Sequence, residues 1–303
     1  MISRLLLPLV LVAPLLGADS YLFTSFRSNG ETGVFAALST DGKKWTPINN
    51  DQPWIKPEQP GMLMRDPWLG KGPDGVWHML WTWGWTKDKS GPVRIGHASS
   101  KDLVTWSSQE EIRLMENYPD TRNAWAPEAV WDSGKREWII FWASTIGGGK
   151  EYDHRIYATR TKDWKSFTRS ELFFDPGFNS IDSTIVRDGS RWVMIFKDER
   201  QNPPVKRLRL SFSDSPQGPW TCVSEPFSGV WVEGPTAVKI GPDWHIYFDH
   251  YAKPQHYGAL TTRDWKSFTD VTGAATFLQG QRHGTVVSIP AALARTLSEY
   301  TSK

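Results

Sequence analysis

Short apolar runs rich in aromatic and β-branched residues recur along the chain, separated by turns built on Gly, Asp and Pro. Pro73-Asp74-Gly75 leads into Val76 to Trp83, Asp132-Ser133-Gly134 into Trp138 to Trp142, Arg187-Asp188-Gly189 into Arg191 to Phe196, and Gly241-Pro242-Asp243 into Trp244 to Phe248. Two β-runs around a Gly/Asp turn predict a hairpin, and helical periodicity is nearly absent. A second pattern, Ser/Thr-x-Asp-x-x-x-aromatic, ends at Trp45, Trp106, Phe167 and Phe268, with a looser copy from Ser213 to Trp220. Its Asp is expected to accept backbone N–H bonds inside a turn, which is a structural role. Closing aromatics 61, 61, 53 and 48 residues apart make a quasi-repeat with room for about four short strands per unit. An all-β fold follows, a five-bladed β-propeller. Its last unit after His283 is short, so the ring is expected to close where the N-terminal strands (Tyr21 to Phe26, Val34 to Ser39) join the inner strand Gly284 to Ile289. Closure removes two open sheet edges. Ala291 to Leu297 reads as a short terminal helix.

Composition narrows the setting. Met1-Ile2-Ser3-Arg4 followed by an apolar run from Leu5 to Leu16 and a Gly17-Ala18 exit reads as a signal peptide over residues 1–18, with the propeller over 19–303. The run is shorter than the roughly 18 to 20 residues that span a bilayer. The expectation is a secreted or periplasmic protein, off the membrane after cleavage. Cys222 is the only cysteine, so core burial rather than disulfides must hold the fold. A net charge of +2 gives no electrostatic case for nucleic acid or acidic membranes. The 18 tryptophans serve an all-β core, and they also offer faces on which sugar rings stack.

Five polar residues open strand-like runs at 50- to 62-residue intervals: Asp66, Glu128, Asp182, Glu233 and His283. In a propeller the innermost strand of each blade starts beside the axis, so these side chains are expected to share one funnel. Singly, each has an ordinary reading: an ion pair for Arg65-Asp66, a strand cap for Asp182, a turn residue for Glu233, a core histidine for His283. Together, two carboxyl groups across a sugar-sized gap are the working parts of a glycosidase, one activating water or attacking, the other protonating the departing oxygen. A neighbouring carboxylate raises a carboxyl pKa, which suits an acid.

These residues also carry a resemblance. Arg65-Asp66-Pro67, Ile181-Asp182-Ser183-Thr184, Glu233-Gly234-Pro235-Thr236 and Arg282-His283-Gly284-Thr285 resemble the signature blocks of glycoside hydrolase family 43, in order and at propeller spacing across the whole mature chain. Trp125-Ala126-Pro127-Glu128 is similar to the family's Trp-Ala-Pro segment, with Glu128 where many members carry Asp. The resemblance implies a five-bladed propeller that hydrolyses with inversion. It makes Asp66 the general base, Asp182 the carboxylate that tunes and orients the acid, and Glu233 the general acid. Inversion requires the two carboxyls to stand roughly 6.5 to 9.5 Å apart. No cofactor is required for the chemistry, and the family pattern implies a calcium ion in the axial channel, held here by His283. The expected partner is an oligo- or polysaccharide of plant type, with α-L-arabinofuranosidase or β-D-xylosidase activity. Trp68 and Trp125 are the leading candidates to stack on sugar, with Trp83, Trp85 and Phe178 behind them. Glu128 and Arg282 are candidate substrate contacts.

Two rivals stand beside this reading. Fructan-acting five-bladed enzymes resemble Trp-x-Asn-Asp-Pro-Asn-Gly and Glu-Cys-Pro, where this chain has Arg65-Asp66-Pro67 and Glu233-Gly234-Pro235. A non-catalytic carbohydrate-binding propeller is expected to lose at least one of the three carboxylates, and all three are present.

Overall fold

The computed structural model describes residues 20–86, 91–147 and 153–301. The segment read above as a signal peptide lies outside them, as do Gly148 and Gly149 of Gly147-Gly148-Gly149, a run whose place after a blade strand suggests a rim loop. Five small antiparallel sheets form a ring. Four have four strands, and the sheet that starts at Ser180 has three. The inner strands are Arg65–Lys71, Trp125–Asp132, Ser180–Asp188, Val232–Ile240 and Val286–Ile289. Each lies against the next, and the last returns to the first. Closure takes the expected form: Val286–Ile289 pairs with Ser20–Ser25, which continues the sheet through Phe35–Ser39. The helix Ala291–Ser298 follows, its Leu297 fully buried against the closing blade and its neighbour.

The repeated turn is a matter of local hydrogen bonding. Asp41 Oδ1 accepts from the N–H groups of Lys43 and Lys44 at 2.8 and 2.9 Å, and Asp264 Oδ1 from Lys266 and Ser267 at 2.8 Å each. Asp102 and Asp163 do the same with the residues two and three further on. Between blades, apolar side chains fill the seams. One cluster joins Leu22, Val34 and Trp54 of the closing blade to Met64, Leu69, Met79 and Trp81 of its neighbour.

A second repeat lies at the mouth of the inner strands. In four blades one extra residue interrupts pairing with the second strand: between Arg65 and Trp68, Trp125 and Glu128, Ile181 and Thr184, and Glu233 and Thr236. The residue after the first of each pair has positive φ: Asp66, Ala126, Asp182 and Gly234. Such a bulge re-aims side chains at a rim. In the closing blade Arg282 bridges Phe26. The residues aligned by this register are therefore Arg65, Trp125, Ile181, Glu233 and Arg282, one per blade.

Candidate active site

Those five aligned residues all line one pocket of about 1060 Å³ at the mouth of the ring, together with Asp66 and Asp182. The volume is at the upper end of the roughly 300 to 1,000 Å³ usual for small-molecule sites. The alignment corrects one expectation. The four acids and the histidine are not equivalent. Asp66, Asp182 and His283 occupy the bulge position, Glu233 stands one residue earlier and Glu128 two residues later. Side chains alternate faces along a strand, so a shift of one residue moves a group from axis to wall.

Asp66 is held on both oxygens. Thr82 Oγ1 donates to Oδ2 at 2.7 Å, and His283 Nδ1 lies 3.3 Å from Oδ1. Thr82 Oγ1 also accepts from the Ala126 N–H, which ties the site to the next blade. Burial pushes the Asp66 carboxyl up, but the His283 hydrogen bond and charge outweigh it and bring the pKa down to about 2. Burial pushes His283 down, and the bond to Asp66 with the nearby carboxylates lifts it to about 9. His283 is thus an imidazolium among acids. Gly234 makes room for its ring: with φ +57, a Cβ at this position would stand 2.3 Å from His283 Cγ.

Asp182 accepts from the Gly234 N–H at 3.1 Å through Oδ2. Burial lifts its pKa to about 7. Glu233 faces two cations. Lys197 Nζ lies 3.0 Å from its Oε2 and Arg282 Nη2 2.9 Å from its Oε1. Burial alone would raise Glu233, but the Lys197 charge and then the Arg282 charge hold it below the usual carboxylate range. Lys197 is itself buried, bridges to Glu199 at 2.8 Å and sits 4.3 Å from the Tyr251 ring. Arg282 also pairs closely with Asp249, the residue opposite Glu233 in the ladder. In the free protein the candidate site thus holds ionised Asp66 and Glu233 and, near neutrality, a protonated Glu128 and a partly protonated Asp182.

Several sequence expectations change here. Trp68 does not reach the pocket. It is buried against Leu80 and Trp138, because its place beyond the bulge turns it into the seam between blades. Trp83 is likewise buried, under the Arg94 guanidinium. Glu128 is not on the wall either. It lies below it, bonded to Thr184, and burial lifts its pKa to about 8. Trp125, Trp85, Phe178 and Arg282 do line the pocket, Trp125 stacked on His154 with centroids 4.9 Å apart. Sequence reading missed Lys197, Tyr251 and Trp231. A lysine ending the apolar run Trp192 to Phe196 was the available signal for the first.

The residues around His283 do not fit a calcium shell. Calcium takes roughly six to eight oxygens, whereas His283 offers an imidazole whose Nδ1 is turned to Asp66 and Asp182. Among the described residues no three His, Cys, Asp or Glu side chains are grouped to hold a metal ion.

The protonation pattern predicts a pH dependence of stability. His283, Asp182 and Glu128 all have folded pKa values above their ordinary ones, so the folded chain binds more protons than the unfolded chain as pH rises past 4 to 6.5. The stability these three groups contribute is therefore full at the acid side of that window and is lost as pH climbs through about 7, 8 and 9. Asp66 acts oppositely only as pH falls toward about 2, but burial holds the pKa of His78, His97 and His245 down, so these three add stability as pH rises toward 6.5 and offset the trend there. Urea unfolding is expected to show a free energy that declines from pH 7 to pH 9, with a shallower slope in Glu128→Gln. A flat or rising profile would remove the buried-acid assignment.

Comparison with known proteins agrees with this architecture. A family profile described as a probable glycosyl hydrolase domain, related to family 43, matches residues 18–294. An α-L-arabinofuranosidase of Bifidobacterium longum is 23% identical over 215 residues, which is 62% of this chain and 20% of that protein. The chain thus spans about a fifth of that relative's length. Among solved structures, an exo-1,5-α-L-arabinanase from a bovine ruminal metagenomic library superposes with a TM-score of 0.58 at 17% identity, covering 84% of this chain and 93% of that one. The catalytic domain of a Coprinopsis cinerea GH62 α-L-arabinofuranosidase gives 0.55 at 14%, covering 81% and 74%. At these identities the structures speak for a shared fold. With the profile spanning nearly the whole chain, and with the propeller and its acid-lined pocket in place, the chain belongs to the family 43-related glycosyl hydrolases.

Proposed function

We propose that this protein is an exported, inverting glycosidase acting on plant-type glycans, with an α-L-arabinofuranoside as the first candidate and a β-D-xyloside as the second. The observation that carries the reading is the pairing of an ionised Asp66 with a cation-flanked Glu233 on the wall of one pocket. An acid bound by Thr82 and His283 keeps its charge at any working pH and is suited to take a proton from water. Glu233 is suited to serve the leaving oxygen. Burial favours a proton on Asp182, while Lys197 and Arg282 keep Glu233 ionised until substrate arrives. The general-acid role of Glu233 thus rests on Asp182 as the proton's resting place. Trp125, Trp85 and Phe178 supply faces for sugar rings. The arabinofuranosidase and arabinanase among its relatives support the choice of pentose.

Aryl α-L-arabinofuranoside, β-D-xyloside and β-D-galactoside, offered to the mature chain, test the reading. Cleavage of one with release of the inverted anomer, seen by proton NMR, is expected. Glu233→Gln should lose more on a natural glycan than on a nitrophenyl glycoside, whose leaving group needs little acid. Binding without turnover on aryl glycosides and plant polysaccharides alike would instead establish the carbohydrate-binding propeller.

A further inference from the structure

Arg65 holds in its blade the place that Glu233 holds in another, just before the bulge residue, and its side chain lines the same pocket. It is seated before any ligand arrives. Its guanidinium carbon lies 4.8 Å from the Phe26 ring and 5.3 Å from the Trp85 ring, and Nη1 donates to Asn29 Oδ1 at 2.5 Å. Gly30, at φ +87, permits this: a Cβ there would come within 2.8 Å of Arg65 Cγ.

The other cations of the pocket wall are paired with carboxylates. Lys197 and Lys206 meet Glu199, Arg200 meets Asp198, and Arg282 meets Asp249 and Glu233. Among the described residues Arg65 has no such partner. Its chain neighbour Asp66 feels the Arg65 charge but forms no ion pair with it, its Oδ2 bonded by Thr82 and its Oδ1 facing His283. Nor do Arg65 Nε and Nη2 donate to any described residue. A partly buried guanidinium with an open edge, stacked on aromatic rings, presents the planar fork that binds a carboxylate through two parallel bonds. A neutral sugar would offer the fork hydroxyls but no charge to pair with.

We propose that Arg65 is a specificity-determining residue that receives a carboxylate of the substrate, so that the preferred glycan carries a uronic acid next to the pentose whose bond is cleaved at Asp66. The proposal deepens the glycosidase reading and rests on it for the sugar's position, while the binding it asserts can be measured alone.

Calorimetric titration of the wild-type chain with D-glucuronate against D-glucose, and D-galacturonate against D-galactose, tests it. One uronate is expected to bind about tenfold tighter than its neutral counterpart, as a charge-assisted pair implies. The advantage should shrink in high salt, vanish in Arg65→Gln and be partly kept in Arg65→Lys, which retains the charge without the fork. Equal binding of uronates and neutral sugars by the wild type overturns the proposal, as does an undiminished preference in Arg65→Gln. Should Arg65→Gln fail to fold, the wild-type comparison and its salt dependence decide. A uronate preference with no hydrolysis of any glycan would overturn the enzyme reading and leave this one standing. Hydrolysis without a uronate preference would do the reverse.

Discussion

Replacing Asp66 by Asn is expected to lower kcat/KM on whichever glycan the wild type cleaves by about a hundredfold to ten-thousandfold. The change is nearly isosteric. The amide oxygen can still accept from Thr82, so the bulge geometry that Thr82 and Ala126 hold in common should survive. What disappears is the charge that takes the proton from water and sustains the imidazolium of His283. Two readouts therefore move together: turnover collapses, and the His283 pKa, followed by NMR, falls from about 9 toward the ordinary histidine range. Sugar binding should remain, because the carboxamide of the variant fills the same volume on the pocket wall as the carboxylate it replaces. Turnover within about threefold of wild type would exclude Asp66 as the base. A collapsed turnover with an unmoved His283 pKa would place the histidine's charge under Asp182 instead.

Trp81→Ala is expected to destabilise the fold by about 3 to 5 kcal/mol, without direct contact with the pocket. Trp81 is fully buried in the cluster that joins the closing blade to the blade of Asp66. Its indole fills space left by Gly96 on the neighbouring strand, where a Cβ would stand 1.9 Å from the ring. Its Nε1 has no hydrogen-bond partner among the described residues, so the stabilisation comes from packing rather than polarity. Trp81→Phe, which keeps an aromatic ring and removes an unpaired donor, should cost clearly less. Urea denaturation with an unchanged m-value measures both. Equal losses would show that the indole's edge, not its bulk, matters at this seam.

Much of the fold was legible because it is built from local rules. Asp41, Asp102, Asp163 and Asp264 bond to N–H groups two and three residues away, so a seven-residue pattern contains the whole turn and its recurrence counts the blades. The alternation of apolar runs and Gly/Asp turns likewise marked hairpins, and the short last unit implied closure through the N-terminal strands. The acids were legible as residues that open inner strands.

Their faces and partners were not. Spacing could not separate Glu233, on the wall, from Glu128, beneath it, because a single extra residue in each inner strand decides which side a group takes. The same bulge turned Trp68 into the core and left Trp125 on the pocket. Lys197 meets Glu233 across 36 residues, and Arg282 meets it across 49. By itself, then, the sequence determined the five-bladed ring and its closure, since the turns and hairpins that count the blades rest on hydrogen bonds and periodicities within a few residues. The tertiary structure alone decided which acids keep a proton, which cations they share and why Arg65 is left open. Those depend on burial and on charges brought together from different blades, and a pKa is set by what surrounds a group in space.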